Sequence, residues 1–293
     1  MRIVLYLATN LAVLVLVSIV FNLLGLQGML ARNGVDLNLS FLLVFCAVFG
    51  FGGSFISLLI SKWMARRSTG TQVIEQPRNR EEQWLLDTVR ELAAEAGIDM
   101  PEVGIFPSDS PNAFATGWNR NKALVAVSAG MLQQFRPEEV RAVMAHEIGH
   151  VANGDMVTLA LIQGVVNTFV MFLARIIGHT VDRVVFRNER GFGIGYFVVT
   201  IAAELVLGLL ASMIVARFSR WREYRADHAG ATLTRPAHMI GALQRLQAMQ
   251  NQARDLPGQL TAFGITEQLK QGARALLSTH PPLEDRIRAL QGL

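Results

Sequence analysis

The sequence predicts a mainly α-helical membrane protein that also carries a smaller domain of mixed helices and strands. Hydrophobic residues make up 51% of the 293 residues and charged residues only 17%. That is too little charge to solvate a globule of this size unless lipid covers part of it. Four apolar segments are long enough to span a bilayer, and short strand patterns lie in the polar stretch between the second and third of them. These observations predict about four transmembrane or membrane-associated helices and a separate α+β domain.

Each apolar segment could cross about 30 Å of hydrocarbon as a helix. The segments are residues 3–24, 39–60, 157–177 and 194–216. The first is longer than the apolar core of a signal peptide, about 7 to 15 residues, and is interpreted as an uncleaved span. Because the third carries Arg175 and the fourth Glu204, two interpretations of that pair stay open: full crossing, or a hairpin packed inside protein.

Basic residues beside the spans predict the orientation. Lys62, Arg66 and Arg67 directly follow the second span, whereas the loop before it offers only Arg32 against Asp36. The positive-inside rule therefore places both ends of the first hairpin in the cytoplasm. A group after the fourth span agrees with this orientation, and a group between the third and fourth does not. The first group is Arg217, Arg220, Arg222 and Arg225, and the second is Arg183, Arg187 and Arg190.

The polar parts of the chain contain signals for one small sheet and several helices. After a linker at 68–78, Asn79 and Glu82 form a capping-box-like start for a helix that Gly97 ends. Strand patterns follow at 103–106, 113–116 and 123–127. A second helix begins at Pro137 and ends at Asn153-Gly154. From Thr234 onward, short helices are expected, broken at Pro257-Gly258 and Pro281-Pro282.

These signals divide the chain into four parts. We expect a transmembrane hairpin at 1–62, the first part of a cytosolic domain at 63–156, a second hydrophobic helical pair at 157–216 and the second part of the cytosolic domain at 217–293. The two parts of the cytosolic domain must meet in space to form one site. Since the hydrophobic pair joins them, the site is expected close to the membrane surface.

The helix from Pro137 carries the pattern His-Glu-x-x-His at residues 146–150. Residues four apart lie on one helix face, so His146 and His150 can bind a single metal ion. The only cysteine is Cys46, so metal ligands must be histidines and carboxylates, a set that suits zinc. Glu147 can then act as a general base toward an attacking water. The alternative is a helix with two surface histidines and a solvated glutamate.

A catalytic zinc site needs a third protein ligand from a distant part of the chain. The best candidate is Glu223, because Asp227 shares its helix face and could hold a ligand imidazole by its second nitrogen. The alternative is that both carboxylates pair with neighbouring arginines on an ordinary surface helix. The competing ligands are His228, which would face away, Asp155, which follows the end of the helix, and Glu204, which lies within a span.

Four motifs occur in a characteristic order along the chain. They are Asn112-Ala113-Phe114-Ala115, His146-Glu147-x-x-His150, Glu223-x-x-x-Asp227 and Thr279-His280-Pro281-Pro282. With them the chain resembles the HtpX-type membrane metalloproteases, relatives of the prenyl-protein (CAAX) endopeptidases. The resemblance implies a zincin-like α+β metalloprotease domain whose small sheet packs on the His-Glu-x-x-His helix. It also implies one Zn²⁺ per chain, with Glu223 as third ligand and Asp227 as its partner.

The same resemblance implies a role and further site residues. The expected role is a multi-pass inner-membrane protease, facing the cytoplasm, that cleaves misfolded or damaged membrane proteins under stress. Residues 112–115 would form an edge strand on which the substrate adds, and His280 would stabilise the oxyanion, with Arg286 nearby. The alternatives are a turn residue at Asn112 and a loop histidine at position 280.

Two rival functions are weighed against a membrane-anchored protease. One is an intramembrane protease, which the charged residues flanking the motif helix disfavour. The other is a zinc-stabilised scaffold, which would keep the ligands without needing Glu147. A nucleic-acid partner is not expected, because the arginines lie beside apolar segments and lack an aromatic-interleaved basic motif. Lipid and unfolded polypeptide are the expected partners, and the oligomeric state is left open.

Overall fold

The computed structural model describes residues 37–188, 191–254 and 278–293, together with the isolated positions Ile19, Leu23, Gly25 and Gly28. The predicted fold class is confirmed, because helices dominate and a small mixed sheet accompanies them. The helices are α1 (Leu39–Thr69), α2 (Arg80–Glu95), α3 (Ala129–Gln134), α4 (Pro137–Asn153), α5 (Asp155–Val184), α6 (Ile194–Leu233), α7 (Pro236–Arg254) and α8 (Leu283–Gln291). The strands are β1 (Gln72–Val73), β2 (Glu102–Phe106), β3 (Ala113–Thr116) and β4 (Leu124–Ser128).

Three described helices, α1, α5 and α6, are long and apolar enough to cross a membrane. They contain the predicted segments 39–60, 157–177 and 194–216. The predicted first span at 3–24 lies outside the described residues, apart from Ile19 and Leu23. Arg32, Asp36, Arg190 and the break at Pro257-Gly258 lie outside them as well.

The described chain divides into two compact units. The first takes its residues from Met1–Ile56 and Ala160–Ile214, and the second from Ser57–Leu159 and Val215–Leu293. The apolar parts of α1, α5 and α6 belong to the first unit. The sheet, the other helices and the ends of these three belong to the second.

Within the first unit, small residues let helices approach closely. A Cβ added at Gly50 would lie 2.5 Å from Oγ1 of Thr168, and one added at Gly178 would lie 2.0 Å from Oγ1 of Thr200. Interfaces of this kind are typical of helices in membranes. Arg175 and Glu204, the two charged residues within the predicted spans, form an ion pair. Arg175 donates a hydrogen bond to Oε1 of Glu204 at 3.1 Å.

The sheet of the second unit has the strand order β1-β2-β4-β3. β2 runs parallel to β4, and the outer pairs are antiparallel. β4 is buried along its whole length, whereas β3 is an edge strand. Three strands were predicted within a residue of their observed bounds. β1 was not, because its two residues lie inside the predicted linker 68–78, of which α1 also takes the first part.

The caps of α2 follow the sequence signals. Oδ1 of Asn79 accepts a hydrogen bond from the Glu82 backbone N–H at 2.8 Å. The Glu82 carboxylate accepts from the N–H of Arg78 rather than from that of Asn79, at 2.7 Å. Gly97 ends the helix with φ +66°. Buried side chains of α2 then pack against α4 and the sheet, including Leu85 and Val89.

Helix α4 begins and ends where its sequence predicts. Pro137 is its first residue, and Glu139 accepts from the N–H of Arg136 at 2.9 Å. The buried Glu139 carboxylate also accepts from Nε of Arg245 on α7 at 2.7 Å, so α7 is fixed to the start of α4. Gly154 ends α4 in the left-handed conformation, with φ 70° and ψ 31°. α5 begins at the next residue, Asp155.

The last turns of α6 lie directly against α4. A Cβ added at Gly149 would lie 2.8 Å from the Cβ of Ala229, and one added at Gly230 would lie 3.3 Å from the carbonyl oxygen of Ala142. A side chain at position 149 therefore requires the helices to shift, whereas one at position 230 requires its neighbours to move by a few tenths of an ångström. This close crossing brings the Glu223-x-x-x-Asp227 segment of α6 to the His-Glu-x-x-His helix.

Candidate active site

The two motif histidines meet a carboxylate from α6. The rings of His146 and His150 lie 4.7 Å apart between centroids. Nε2 of His150 lies 3.3 Å from Oε1 of Glu223, and Nε2 of His146 lies 3.7 Å from Oε2 of the same residue. One ligand atom from each of the three residues lies within 4.8 Å of the others.

This arrangement fits a zinc ion. Tetrahedral zinc with bonds of about 2.0 to 2.1 Å separates its ligand atoms by roughly 3.3 to 3.4 Å. The two nitrogen-to-oxygen distances at Glu223 are close to that separation. Two imidazoles and one carboxylate form a known donor set for catalytic zinc, which leaves a fourth position for water or substrate. In the part of the chain that the structure describes, this is the one group with such geometry.

A carboxylate also faces the second ring nitrogen of each histidine. Nδ1 of His150 lies 2.8 Å from Oδ2 of Asp155, within a hydrogen bond. Nδ1 of His146 lies 2.9 Å from Oδ1 of Asp227, although the two groups are not aligned as a hydrogen bond. Asp227 thus lies where the sequence placed a partner for a ligand imidazole. Asp155, weighed as a competing ligand, contacts the nitrogen that faces away from Glu223.

Arg286 of α8 neutralises the acidic residues of α6. Its Nε donates to Oδ2 of Asp227 at 2.7 Å and a second guanidinium nitrogen donates to Oδ1 at 2.5 Å. A third nitrogen lies 3.4 Å from Oε2 of Glu223. All three side chains are buried. The alternative of a surface helix with local arginine partners is not found: Arg222 donates to the backbone oxygen of Asp155, and Arg225 to Asn153.

The charges of the site shift the pKa of two ligands. Burial opposes protonation of His150, but its hydrogen bonds to Asp155 and Glu223 raise its pKa to about 9. The second ligand, Glu223, lies outside the predicted membrane span, seven residues beyond its end at Ala216. Burial would raise the pKa of its carboxyl, but hydrogen bonds from His150 and His280 hold that pKa well below its usual range. The carboxylate of Glu223 is therefore ionised at any physiological pH.

The structure places the other two candidate polar residues beside the ligands. Glu147 is half-buried on α4, between His146 and His150 in sequence. Nδ1 of His280 lies 2.7 Å from Oε2 of Glu223. The His280 side chain is 66% exposed, so its ring is also in contact with solvent.

The predicted substrate strand corresponds to β3. Ala113, Phe114 and Ala115 are all half-buried, and β3 lies against α4. The N–H of Ser128 on β4 donates to the carbonyl of Asn112 at 2.8 Å. Since hydrogen-bonded pairs alternate in an antiparallel ladder, the backbone groups of Ala113 and Ala115 point away from β4. They form the open edge of the described sheet.

The remaining competing ligands lie elsewhere. His228 is exposed and contacts Thr232 on its own helix. Glu204 belongs to the first unit and pairs with Arg175. Sequence reasoning missed the contact of Asp155 with His150, and it gave Arg286 no role toward Asp227. Neither residue falls at a motif spacing, although an aspartate directly after the helix-ending Asn153-Gly154 was a usable signal.

The chain is similar to known proteins in sequence and in fold. The profile of peptidase family M48 matches residues 79–293. Protease HtpX of Pseudomonas putida (strain GB-1) is 68% identical over 291 residues, which is 99% of this chain and 99% of the relative. Protease HtpX of Pseudomonas syringae pv. syringae (strain B728a) is 66% identical with the same coverage. The crystal structure of S. mikatae Ste24p matches with a TM-score of 0.62 over 95% of this chain and 67% of that chain, a likeness of fold at 17% identity.

Proposed function

Since the chain belongs to peptidase family M48, we propose that it is a membrane-bound zinc endopeptidase that hydrolyses misfolded or damaged membrane proteins. Family membership and three apolar helices make it an integral membrane metallopeptidase. The identity of the metal, the substrates and the roles of single residues are the proposal. The observation that carries it is the convergence of His146, His150 and Glu223, with ligand atoms within 4.8 Å of one another.

We assign Glu147 as the general base and acid. Zinc held by the three ligands would supply Lewis-acid activation of water and of the scissile carbonyl. Glu147 lies on the same helix as two ligands, next to His146, and is half-buried. From there its carboxylate accepts a proton from the attacking water and then returns it to the amine that leaves as the C–N bond breaks. Protons balance over the reaction, so no further acid is required.

We assign β3 as the strand on which substrate binds. The N–H and C=O groups of Ala113 and Ala115 are directed to the open edge of the sheet, and an extended polypeptide can add there as a further antiparallel strand. β3 lies against the helix that carries His146, so the added strand would run past the metal ligands. Because the hydrogen bonds are made by main-chain groups, binding depends little on the identity of the substrate side chains. That suits an enzyme acting on unfolded segments of many proteins.

We assign His280 to stabilisation of the oxyanion. Its Nδ1 contacts Glu223 at 2.7 Å, which fixes the ring beside the metal ligands. We infer that substrate approaches from the exposed side of this ring. When the ring carries both protons, Nδ1–H donates to Glu223 and Nε2–H can hydrogen-bond to the carbonyl oxygen as negative charge develops on it.

We also propose that the site faces the cytoplasm from the inner membrane. Lys62, Arg66 and Arg67 follow the apolar part of α1, and Arg217 and Arg225 follow that of α6. All five belong to the unit that contains the metal ligands. The positive-inside rule places such clusters on the cytoplasmic side. A peptidase there meets damaged membrane proteins at the bilayer surface, as stress-linked quality control requires.

The decisive experiment compares native protein with Glu147→Gln, both purified in detergent. We expect both to hold one zinc per chain, and the variant to lose hydrolysis of casein by about 10²- to 10⁴-fold. Glu138→Gln, which removes the same charge from the first turn of the same helix, is the control and should cleave at the native rate.

The possible outcomes separate the peptidase from the zinc-stabilised scaffold. Native protein that holds zinc and cleaves nothing would favour the zinc-stabilised scaffold. Cleavage by Glu147→Gln at the native rate would remove Glu147 from the mechanism. Native protein that cleaves without bound metal would overturn the zinc site itself.

A further inference from the structure

Asp155 is buried beside the metal ligands without being one of them. Its side chain is 4% exposed, and its Oδ2 lies 2.8 Å from Nδ1 of His150. A carboxylate in this position accepts a hydrogen bond from Nδ1–H, which leaves Nε2, on the side of Glu223, as the nitrogen that can bind metal. It therefore selects the tautomer of His150 that can bind metal.

The placement of Asp155 depends on the turn between α4 and α5. In an uninterrupted helix, residue 155 would point about 140° away from His150. Gly154 interrupts the helix with φ 70°, and this returns the Asp155 side chain to the face that carries the ligand. Any other residue would be strained in that conformation.

Arg222 fixes the backbone of Asp155. One of its guanidinium nitrogens donates to the Asp155 carbonyl oxygen at 2.9 Å, and another donates to Oγ of Ser219 at 3.1 Å. Arg222 is 7% exposed, so these bonds are shielded from water. Because Arg222 directly precedes Glu223 on α6, it connects the supports of two ligands, His150 and Glu223.

We propose that Asp155, held by Arg222, is a positioning residue that orients His150 for metal binding and fixes its distance from Glu223. The inference deepens the proposed function and rests on it. On the other side of the site, Asp227 lies beside His146. Each imidazole ligand thus has a buried carboxylate near its Nδ1, and a buried arginine holds each aspartate, Arg222 through the backbone of Asp155 and Arg286 through the carboxylate of Asp227.

The test compares zinc affinity in full-length, detergent-purified variants, measured by competition with a chelator. We expect Asp155→Ala to weaken zinc binding by about 10- to 100-fold, and Asp155→Asn to weaken it less because its amide oxygen still accepts from Nδ1. Arg222→Gln should act in the same direction with a smaller effect. Asp87→Asn is the control, since the Asp87 side chain on α2 is 45% exposed and is paired with Gln83 and Arg90. The zinc affinity of this variant should equal the native value.

Two further measurements separate positioning from a general loss of structure. In Co²⁺-substituted protein the visible absorption bands should shift in Asp155→Asn and not in Asp87→Asn, because only the former changes the ligand field. At saturating zinc, kcat should fall while KM stays within about twofold, since the substrate strand is untouched.

The results that overturn the inference are specific. Native zinc affinity and an unchanged Co²⁺ spectrum in Asp155→Asn and Asp155→Ala would overturn it, while a native enzyme that binds zinc and cleaves leaves the proposed function standing. If Asp155→Ala does not fold, Asp155→Asn decides alone. A native protein without zinc or cleavage would instead overturn the proposed function and this inference with it.

Discussion

Replacing Gly149 by alanine tests whether the close crossing of α4 and α6 sets the geometry of the metal site. The added Cβ would lie 2.8 Å from the Cβ of Ala229 and 3.5 Å from the Cα of Ala226. Carbon atoms in ordinary contact lie about 3.5 to 4.0 Å apart. The two helices must therefore separate by roughly 0.7 to 1.2 Å at this point.

That separation acts directly on the ligands. Gly149 is adjacent to His150, and Glu223 lies on the helix that must move. A separation of this size along the line between the two atoms would lengthen the 3.3 Å distance between Nε2 of His150 and Oε1 of Glu223 to about 4.0 to 4.5 Å, away from the roughly 3.3 to 3.4 Å that separates two ligands of tetrahedral zinc. We expect zinc affinity to fall at least about tenfold. The steric overlap should lower the free energy of unfolding by about 1 to 3 kcal/mol, whereas the better helix propensity of alanine should raise it by up to about 1 kcal/mol.

The assay is chelator competition for zinc together with thermal unfolding of the purified protein. Gly241→Ala is the matched control, because the nearest atom to its added Cβ, Oε1 of Glu139, lies at an ordinary 3.5 Å. That variant should keep native zinc affinity and gain stability. If Gly149→Ala binds zinc like the native protein and unfolds at the same temperature or higher, the crossing does not control the site.

Three further predictions follow from the same site. Arg286→Gln should weaken zinc binding and destabilise the fold by about 3 to 5 kcal/mol, because it leaves the buried Asp227 without its guanidinium partner. Calorimetry measures the stability, with the exposed-site variant Arg288→Gln as the control. Equal stability of the two variants would contradict the prediction. The pKa of His150 is raised to about 9, so below that pH zinc must displace a proton from His150 in order to bind. The apparent dissociation constant for zinc should therefore rise about tenfold for each pH unit below 9. A zinc affinity that does not change between pH 7 and 9 would refute the assignment of His150 as a ligand. N-methylation of a substrate backbone amide that faces β3 should lower kcat/KM about tenfold, because one hydrogen bond is lost. N-methylation of the next amide along the substrate should leave kcat/KM unchanged. Equal effects at the two positions would argue against strand addition at Ala113 and Ala115.

Local signals made most of the fold predictable. Pro137 and Gly154 bound the motif helix, and Asn79 caps α2, because each residue type fits the backbone at a helix end for its own chemical reasons. β1 was not predictable, since two residues carry no periodicity and the pairing with β2 alone defines the strand. Local sequence thus predicts elements that are stable by their own pattern, and misses those that a neighbour creates.

The candidate site divides in the same way. His146, Glu147 and His150 are recognisable because their spacing matches one helix turn. The contact of Asp155 with His150 was hidden because it depends on a left-handed residue that redirects the chain. The contact of Arg286 with Asp227 was not predictable, because the two residues lie 59 positions apart. No local sequence feature distinguishes this arginine from the other basic residues, 27 in all.

The long separation of Asp227 and Arg286 has a consequence for biosynthesis. A ribosome releases His146, Glu147 and His150 well before Glu223, and it releases Arg286 later still. Until Arg286 has been synthesised, Asp227 and Glu223 lack the guanidinium that lies beside both of them in the folded protein. The metal site in its observed form can therefore be completed only after synthesis has passed residue 286.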